Sequence, residues 1–317
     1  MSPQKPLRCI PTEEILRKVT MADAIRAVRE ALAELSTGRT LVPDRTSLEI
    51  PGRRTTALVM PAYLPRTGRI GVKLISLCED NPAKGLPLAQ AVTVVMDAET
   101  GVPLAVLDAG HLTAVRTGAA SGVATDLLAR KDARVAAVFG AGVQGRTQLE
   151  AVAAVRPLRK AFVFDVDPRA AAAFAAEMGS RLGLDVEPAG SSRDLGQADI
   201  VCTATTSAVP VFSDADLKPG VHINAVGSYK PHVREVPAET VRRARVFVDD
   251  RRAALEEAGD LIIPLRQGLI EASHILAELG AVLAGLEPGR VSNGDVTLFK
   301  SVGSAVQDLA VAGLVVG

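Results

Sequence analysis

The sequence has no excess of charge of either sign, because its 36 Lys and Arg residues are balanced by 36 Asp and Glu residues. Binding to nucleic acid or to an anionic membrane is therefore disfavoured. The chain also lacks a run of about 18 uninterrupted apolar residues, the length that a membrane-spanning helix needs. Its first residues, MSPQKPLRC, are interrupted by proline and charge and lack the apolar core of a secretory signal. We expect a soluble, cytoplasmic protein.

Cysteine and histidine are both scarce. Three cysteines, Cys9, Cys78 and Cys202, are odd in number and widely spaced, which fits neither a disulfide framework nor a C-x-x-C metal or redox site. We expect reduced and mostly buried thiols. The histidines show no spacing typical of metal ligands: His111, His222, His232 and His274. No metal site is expected.

With 317 residues, 48% of them hydrophobic, the chain can form two domains or one large one and bury substantial cores. An amphipathic helix is predicted near the start, where Thr20 and Asp23 resemble a capping pair and apolar residues recur at helical spacing until Gly38. Residues 40–110 contain short apolar segments separated by proline, glycine and a turn at 99–101. This pattern predicts an antiparallel sheet.

From about residue 113 the pattern changes to an alanine-rich helix, followed by apolar strands that alternate with helices. Such alternation predicts βαβ units with a parallel sheet, so the expected fold class is α/β. Strands are predicted near 135–139, 161–165, 199–203, 221–226 and 245–249. The apolar segment 298–317 is predicted to form a last helix.

A glycine-rich turn, FGAGVQG, lies directly between a predicted strand and a predicted helix. Gly140 suits the tight turn, Gly142 lets the backbone approach a pyrophosphate, and Gly145 lets the helix pack close to the strand. Asp165 lies 20 positions after Gly145, where a carboxylate can bind a ribose 2′-hydroxyl and would repel a 2′-phosphate. The pattern predicts an NAD site that prefers NADH over NADPH. Arg169, a few positions further on, leaves tolerance for NADP open.

Eight stretches of the sequence, in this order, resemble the ornithine cyclodeaminase/mu-crystallin family: LVPDRTSL, LVMPAYL, GVKLIS, LTAVRTGAASGVAT, FGAGVQG, INAVGSYKP, VFVDDRRAALEEAGDL and TLFKSVG. The resemblance implies a Rossmann-type dinucleotide-binding domain at 121–297. It also implies a homodimer, and an α+β domain for substrate binding and dimerisation built from 1–120 and 298–317. The family includes ornithine cyclodeaminases, alanine dehydrogenases, cyclic ketimine reductases, opine-type dehydrogenases and a hormone-binding lens protein.

Three cations stand within these stretches: Arg45, Lys73 and Arg116. Most lysines and arginines are solvated at a protein surface. However, Lys73 lies in an apolar strand and Arg116 in an otherwise uncharged helix start, where a charge needs a partner. The resemblance implies that all three hold the substrate carboxylate beside the nicotinamide, with Lys73 and Arg116 as catalytic residues. An arginine offers a planar fork to a carboxylate, and a lysine adds a point charge that can donate a proton.

The resemblance implies further contacts with the cofactor, in the glycine-rich turn, after later strands and in the C-terminal segment: Val143, Gln144, Thr203, Thr205, Val226, Gly227 and Ser301. For the two threonines, capping of a strand end is an equal alternative. Val302 and Tyr229 are predicted to contact the substrate.

The turn VGSYKPHVREVP separates the candidate activities. Cyclodeaminases of the family carry an aspartate where this chain has Tyr229, and that carboxylate can hold the distal ammonium of ornithine. A tyrosine, with an unperturbed pKa of about 10, has no negative charge near neutral pH. Lys230 would repel the ammonium if it pointed inward. The nearby acids are poor substitutes, because Glu235 lies beyond Pro231 and because Asp249 and Asp250 belong to the next predicted strand.

We therefore expect an NAD(H)-dependent reductase of a carboxylate-bearing ketimine or imino acid, such as 1-pyrroline-2-carboxylate or 1-piperideine-2-carboxylate. Alanine dehydrogenase, which uses pyruvate and ammonia, is close in chemistry, and the residues do not separate the two. Two alternatives stay open. One is an ornithine cyclodeaminase that converts L-ornithine to L-proline and ammonia with catalytic NAD, and the other is a ligand-binding protein similar to mu-crystallin.

Overall fold

Three α-helices and six strands form the N-terminal part of this computed structural model, which describes residues 6–317. The predicted amphipathic helix is confirmed, since it begins after Thr20, whose side chain accepts a hydrogen bond from the amide of Asp23. The elements are β1 (Arg8–Ile10), α1 (Thr12–Lys18), α2 (Met21–Ser36), β2 (Thr46–Glu49), β3 (Thr55–Leu64), β4 (Arg69–Cys78), β5 (Ala89–Asp97), β6 (Pro103–Asp108) and α3 (Ala109–Leu128).

Strands and helices alternate through the rest of the chain. The elements are β7 (Val135–Phe139), α4 (Val143–Val155), β8 (Lys160–Phe164), α5 (Pro168–Leu182), β9 (Asp185–Pro188), α6 (Ser192–Leu195), β10 (Ile200–Thr203), β11 (His222–Ala225), α7 (Ala238–Arg243), β12 (Arg245–Val248), α8 (Arg251–Glu257), α9 (Gly259–Arg266), β13 (Ile275–Glu278), α10 (Leu279–Leu283), β14 (Thr297–Lys300) and α11 (Ala305–Val316).

The first six strands form one sheet in the order β1-β6-β5-β4-β3-β2. β2 to β6 pair antiparallel, which confirms the prediction for residues 40–110, whereas β1 pairs parallel to β6. One face of this sheet packs against α11, so closely that a Cβ added at Gly71 would lie 2.8 Å from Leu309 Cδ1. The opposite face exposes large apolar side chains, among them Leu48, Leu74 and Val92.

The other eight strands form a parallel sheet in the order β13-β12-β14-β11-β10-β7-β8-β9. The predicted α/β fold class and parallel sheet are confirmed. Successive side chains of each strand point to opposite faces. Ala136 and Val138 accordingly belong to one buried cluster, and Ala137 and Phe139 to another. The sheet therefore has an apolar core on each face, as a doubly wound Rossmann-type fold requires.

Contacts between residues divide the chain into two units. One unit extends to Arg116 and includes Ser304–Gly317, and the other is Thr117–Gly303. The polypeptide passes from the first unit to the second within α3, and returns just before α11. The assignment of substrate binding and dimerisation to one unit, and of dinucleotide binding to the other, stays a prediction.

The prediction of one helix over 298–317 is wrong at its start. Residues Thr297–Lys300 form β14, whose four residues are all buried between β11 and β12. Periodicity cannot distinguish a short apolar strand from the beginning of an apolar helix. Gly303, with a φ of 82°, separates this strand from α11, which begins at Ala305.

The prediction that the cysteines are mostly buried is also wrong. All three thiols are free, but Cys9 is exposed, Cys78 is half-buried and only Cys202 is buried. Cys9 is exposed because its side chain points away from the face on which its neighbour Ile10 is buried. Within the described residues, no helix combines the length and the apolar character needed to cross a membrane.

Candidate dinucleotide and carboxylate sites

The glycine-rich turn connects β7 to α4, as predicted. Gly140 has a φ of 99°, and a Cβ added there would lie 2.6 Å from the carbonyl oxygen of Ala204. A Cβ added at Gly145 would collide with the carbonyl oxygen of Gly140. At Gly142, by contrast, a Cβ would meet no atom of the described residues within 4 Å. The turn is thus closely packed on one side and open at Gly142.

Gly142 is the N-cap of α4 and supplies no side-chain cap, which leaves the first N–H groups of the helix for an anion. The first turn contains Val143, which is 60% exposed, and Gln144, whose Oε1 is buried without a hydrogen-bond partner among residues 6–317. Open space and free donors at one helix N-terminus fit the pyrophosphate of a dinucleotide.

Asp165 lies directly after β8, beside the glycine-rich turn. Its Oδ2 accepts a hydrogen bond of 2.7 Å from the amide of Ala141, and its Oδ1 accepts one of 2.9 Å from the amide of Asp167. Arg169 is exposed in the first turn of α5, where its amide donates to Asp167. The predicted ribose-binding carboxylate is therefore held by backbone amides, while the arginine side chain lies at the surface.

Arg146, which the sequence-based prediction missed, shapes the same turn. Its guanidinium donates to the carbonyl oxygens of Ala141 and Gly142 and forms a 2.8 Å ion pair with Glu177. The guanidinium also lies 5.2 Å from the ring centroid of Phe174. Because it binds the carbonyl side of the turn, Arg146 favours an arrangement in which the amides face away from it.

The other predicted cofactor contacts lie at the carboxyl ends of three adjacent strands. β10, β11 and β14 are neighbours in the sheet, and β10 also pairs with β7. All strands are parallel, so these ends and the glycine-rich turn share one edge. The predicted residues at this edge are Thr203 at the end of β10, Thr205 just after it, Val226 and Gly227 after β11, and Ser301 after β14. Their roles toward a cofactor stay predictions.

Glu235, which the sequence analysis set aside, is at the centre of this edge. Its side chain is fully buried, and its Oε1 accepts hydrogen bonds from the amide and the hydroxyl of Thr205 at 2.6 and 2.7 Å. Its Oε2 accepts from the hydroxyl of Thr203 at 3.0 Å and from the amides of Gly227 and Ser228 at 2.8 and 3.1 Å. Burial, assisted by repulsion from another acid, raises the pKa of Glu235.

A second buried acid, Asp249, holds the segment after β14. Its Oδ2 accepts hydrogen bonds from the hydroxyl of Ser301 at 2.6 Å and from the amide of Gly303 at 2.8 Å. Its Oδ1 lies 3.4 Å from the amide nitrogen of Val302. Only the position of Asp249 directly after a strand could have pointed to this role.

Tyr229 and Lys230 follow β11 and are both half-buried. The Lys230 ammonium lies 5.9 Å from the ring centroid of Tyr229, within the range of a cation–π interaction. The lysine charge is therefore associated with the tyrosine ring. The predicted contact between Tyr229 and a substrate stays a prediction, as does that of Val302.

Two of the predicted substrate-binding cations share one acid in the first unit. Lys73, on β4, is 2% exposed, and its Nζ lies 3.1 Å from Asp308 Oδ1. Arg116, on α3, is 6% exposed, and its Nε lies 3.2 Å from the same oxygen. The Nη1 of Arg116 also donates to Gln307 Oε1 at 3.0 Å. Asp308 was missed, although an acid in the apolar sequence of α11 was a usable signal.

Burial lowers the pKa of the Lys73 ammonium to about 8. Asp308 opposes this shift, whereas the charges of Arg116 and Arg45 add to it. Arg45, which is half-buried just before β2, is thus close enough to act on Lys73 electrostatically. Asp308 Oδ2 is buried without a hydrogen-bond partner in the described part of the chain. Two of the three predicted cations therefore contact one carboxylate, and the third acts on Lys73 through its charge.

Comparison with known proteins identifies the same family that the sequence motifs resemble. A model of the ornithine cyclodeaminase/mu-crystallin family matches residues 9–317. A Delta(1)-pyrroline-2-carboxylate reductase of Bacillus cereus is 40% identical, covering 96% of this chain and 94% of the relative.

Two solved structures are similar over almost the whole chain. The Delta(1)-pyrroline-2-carboxylate reductase of Thermococcus litoralis, in complex with NADH and L-proline, has a TM-score of 0.95 and 41% identity, covering 98% of this chain and 96% of that one. An archaeal alanine dehydrogenase dimer with bound NAD has a TM-score of 0.92 and 34% identity, covering 98% of this chain and 95% of that one.

Proposed function

This chain belongs to the ornithine cyclodeaminase/mu-crystallin family, as its motifs predicted, and we propose that it is an NADH-dependent reductase that converts 1-pyrroline-2-carboxylate to proline. The buried cluster of Lys73, Arg116 and Asp308 supports this proposal most strongly. Two cations beside one acid leave a net positive charge, which suits a substrate carboxylate. Relatives at 40% and 41% identity reduce this imine, and one of them binds NADH and L-proline.

In the proposed reaction, the cations hold the substrate carboxylate and thereby fix the position of the neighbouring imine carbon. When bound, the dinucleotide supplies a hydride, which forms the new C–H bond at that carbon while the π electrons of the C=N bond move to nitrogen. The imine nitrogen, which receives these electrons, must also gain one proton. Lys73 can donate it, because a pKa of about 8 leaves the ammonium protonated at neutral pH and ready to release its proton.

Cyclisation of ornithine is a poorer match for these residues. That reaction requires an acid for the distal ammonium of the substrate, and the corresponding position is Tyr229. The acid nearest to Tyr229 along the chain, Glu235, is buried and already accepts five hydrogen bonds. It is therefore not available to bind an ammonium.

A preference for NADH over NADPH forms part of the proposal. Asp165 places a carboxylate beside the glycine-rich turn, where it would repel the 2′-phosphate of NADPH. Arg169 is exposed on α5 and could compensate only by turning toward that phosphate. Measured affinities for the two reduced dinucleotides will test the preference.

The proposed assembly is a homodimer formed in the cytoplasm through the outer face of the first sheet. On this face Leu74 of β4 stands opposite Val59 of β3 and Val92 of β5, and Leu48 of β2 lies near them. Leu48 and Leu74 are 52% and 48% exposed. A continuous apolar surface of this kind favours association, and the related archaeal alanine dehydrogenase is a dimer.

The function is tested with purified protein and four reactions. NADH is supplied with 1-pyrroline-2-carboxylate, with 1-piperideine-2-carboxylate, or with pyruvate plus ammonia, and NAD is supplied with L-ornithine. We expect NADH oxidation to be fastest with 1-pyrroline-2-carboxylate. Release of ammonia from ornithine without net NADH change would instead show a cyclodeaminase, and NADH binding without any turnover would show a ligand-binding protein.

A matched pair of variants separates catalysis from folding. Lys73→Ala should abolish turnover and spare NADH binding, because Lys73 belongs to the unit predicted to bind substrate. Lys131→Ala, which removes a lysine that is 78% exposed, should retain both. If Lys73→Ala fails to fold, its role is structural.

A further inference from the structure

Glu235 joins the segments that follow two adjacent strands. It lies ten residues beyond β11, and the chain returns so that the carboxylate reaches Thr203 at the end of β10 and Thr205 after it, and also Gly227 and Ser228 after β11. A fully buried anion is costly unless hydrogen bonds satisfy it. Its five donors meet that requirement and link both strand ends to one side chain.

The place of these segments relative to the dinucleotide follows from the order of the sheet. β7 carries the glycine-rich turn, β8 on one side carries Asp165, and β10 followed by β11 lies on the other side. Ligands of such sheets bind at the carboxyl ends of the strands, where the strand order reverses. If Asp165 binds the adenosine ribose, the nicotinamide half must extend in the opposite direction, over the ends of β10 and β11.

We propose that Glu235 is a positioning residue, which holds the segments after β10 and β11 in the arrangement that receives the nicotinamide half of the dinucleotide. Glu235 acts through its hydrogen bonds to these two segments and does not itself contact the cofactor. The inference rests on the proposed function only as far as dinucleotide binding is concerned, and is independent of the imine that is reduced.

Close packing leaves little freedom in this arrangement. A Cβ added at Gly227 would lie 2.5 Å from Glu235 Oε2 and 2.5 Å from the carbonyl oxygen of Thr205, so only glycine fits between the two segments. The two segments therefore cannot move closer together to compensate for the loss of a hydrogen bond to Glu235.

Glu235 is itself held by a buried ion pair. The amides of Glu235 and Val236 donate to Asp260 Oδ1 at 2.7 and 2.9 Å. Asp260 Oδ2 lies 2.9 Å from Lys300 Nζ, and the same ammonium donates to the carbonyl oxygen of Ser228 at 2.5 Å. The backbone at Glu235 is therefore held by the buried Asp260, and the segment after β11 is held by the buried Lys300.

The test compares NADH with ADP-ribose, which lacks the nicotinamide ring. Glu235→Gln keeps the size of the side chain but replaces one acceptor oxygen with an NH₂ group that faces N–H or O–H donors. We expect its Kd for NADH to rise about tenfold, as the loss of a charged hydrogen bond predicts. Its Kd for ADP-ribose should stay within about twofold of that of the unmodified protein. With the imine, kcat should fall while the KM for the imine is unchanged.

Glu239→Gln is the matched control, because Glu239 is exposed at the start of α7 and should change neither Kd. Unchanged NADH binding in Glu235→Gln, or an equal loss of NADH and ADP-ribose, would overturn the positioning role. If Glu235→Gln does not fold, Glu235→Asp keeps the charge but shortens the side chain by one methylene, so that it cannot reach all five donors, and it is judged by the same comparison. Unmodified protein that binds NADH but reduces no imine would overturn the proposed function and leave the role of Glu235 intact.

Discussion

Asp308 is the residue that stabilises the two buried cations of the first unit. Removing the acid from a buried ion pair leaves uncompensated charge, which destabilises a protein by about 3 to 5 kcal/mol. We therefore expect Asp308→Asn to lower the free energy of unfolding by about 3 kcal/mol in urea titrations. Asp132→Asn removes an aspartate that is 78% exposed and should change it by less than about 0.5 kcal/mol. Equal stabilities of the two variants would contradict the role of Asp308.

The lowered pKa of Lys73 predicts how the activity depends on pH. If the protonated ammonium binds the carboxylate and donates the proton, kcat/KM for the imine should fall as the pH rises through about 8, the pKa of Lys73. Lys73→Arg stays charged in this range but cannot donate the proton, so its activity should be much lower and what remains should lack this decline. Asp308→Asn should shift the decline to lower pH, because Asp308 raises the pKa of Lys73. A decline that persists in Lys73→Arg would assign it to another group.

The same pKa affects stability with a defined sign. Lys73 has a folded pKa of about 8, below its ordinary value of 10.5, so the folded state binds fewer protons than the unfolded state between these two values. The penalty of burying the charged ammonium is fully present below pH 8 and is relieved as the pH rises to 10.5. This contribution therefore increases the free energy of unfolding across that window.

At the scale of elements, glycine substitutions in the connection from β7 to α4 distinguish a loss of NADH binding from a loss of stability. Gly142→Ala adds a Cβ that meets no atom of residues 6–317 within 4 Å, so thermal stability should be retained. The same Cβ should weaken NADH binding at least about tenfold, because it enters the space proposed for the pyrophosphate.

Gly145→Ala is the contrasting variant, since its Cβ collides with the turn and should lower both Tm and NADH affinity. Gly313→Ala, in α11, adds a Cβ with no neighbour within 4 Å in the described chain and serves as the control for a glycine in a helix. Full NADH affinity in Gly142→Ala would show that the pyrophosphate lies elsewhere.

Elements with a regular pattern were predictable, whereas side-chain partners distant in sequence were not. The strand, glycine-rich turn and helix around Gly140 follow from local periodicity and motif spacing. β14 was mistaken for helix because a strand of only four residues carries no usable period. Glu235 and Asp308 meet their partners only after folding: Asp308 lies 235 positions from Lys73 and Glu235 lies 32 from Thr203. Sequence spacing alone cannot reveal such contacts.

At the scale of the whole molecule, the exposed apolar sheet face predicts the oligomeric state. Light scattering during size-exclusion chromatography should give twice the chain mass of 33.0 kDa. Leu74→Asp and Leu48→Asp each place a charge on the proposed interface and should give monomers, because an interface that buries an unpaired charge is strongly disfavoured. Leu286→Asp changes a leucine that is 65% exposed in the other unit and should stay dimeric. An unmodified protein that elutes as a monomer would refute the interface.

The late position of β14 and α11 in the chain has a consequence during protein synthesis. β14 lies inside the parallel sheet, between β11 and β12, and α11 covers the buried face of the other sheet. A ribosome delivers both elements after the other strands and helices of the two units, so neither sheet can be completely covered until residues 297–317 have left the exit tunnel. Nascent chains therefore expose two unfinished apolar cores at once, and a premature stop before residue 297 would leave both units incomplete.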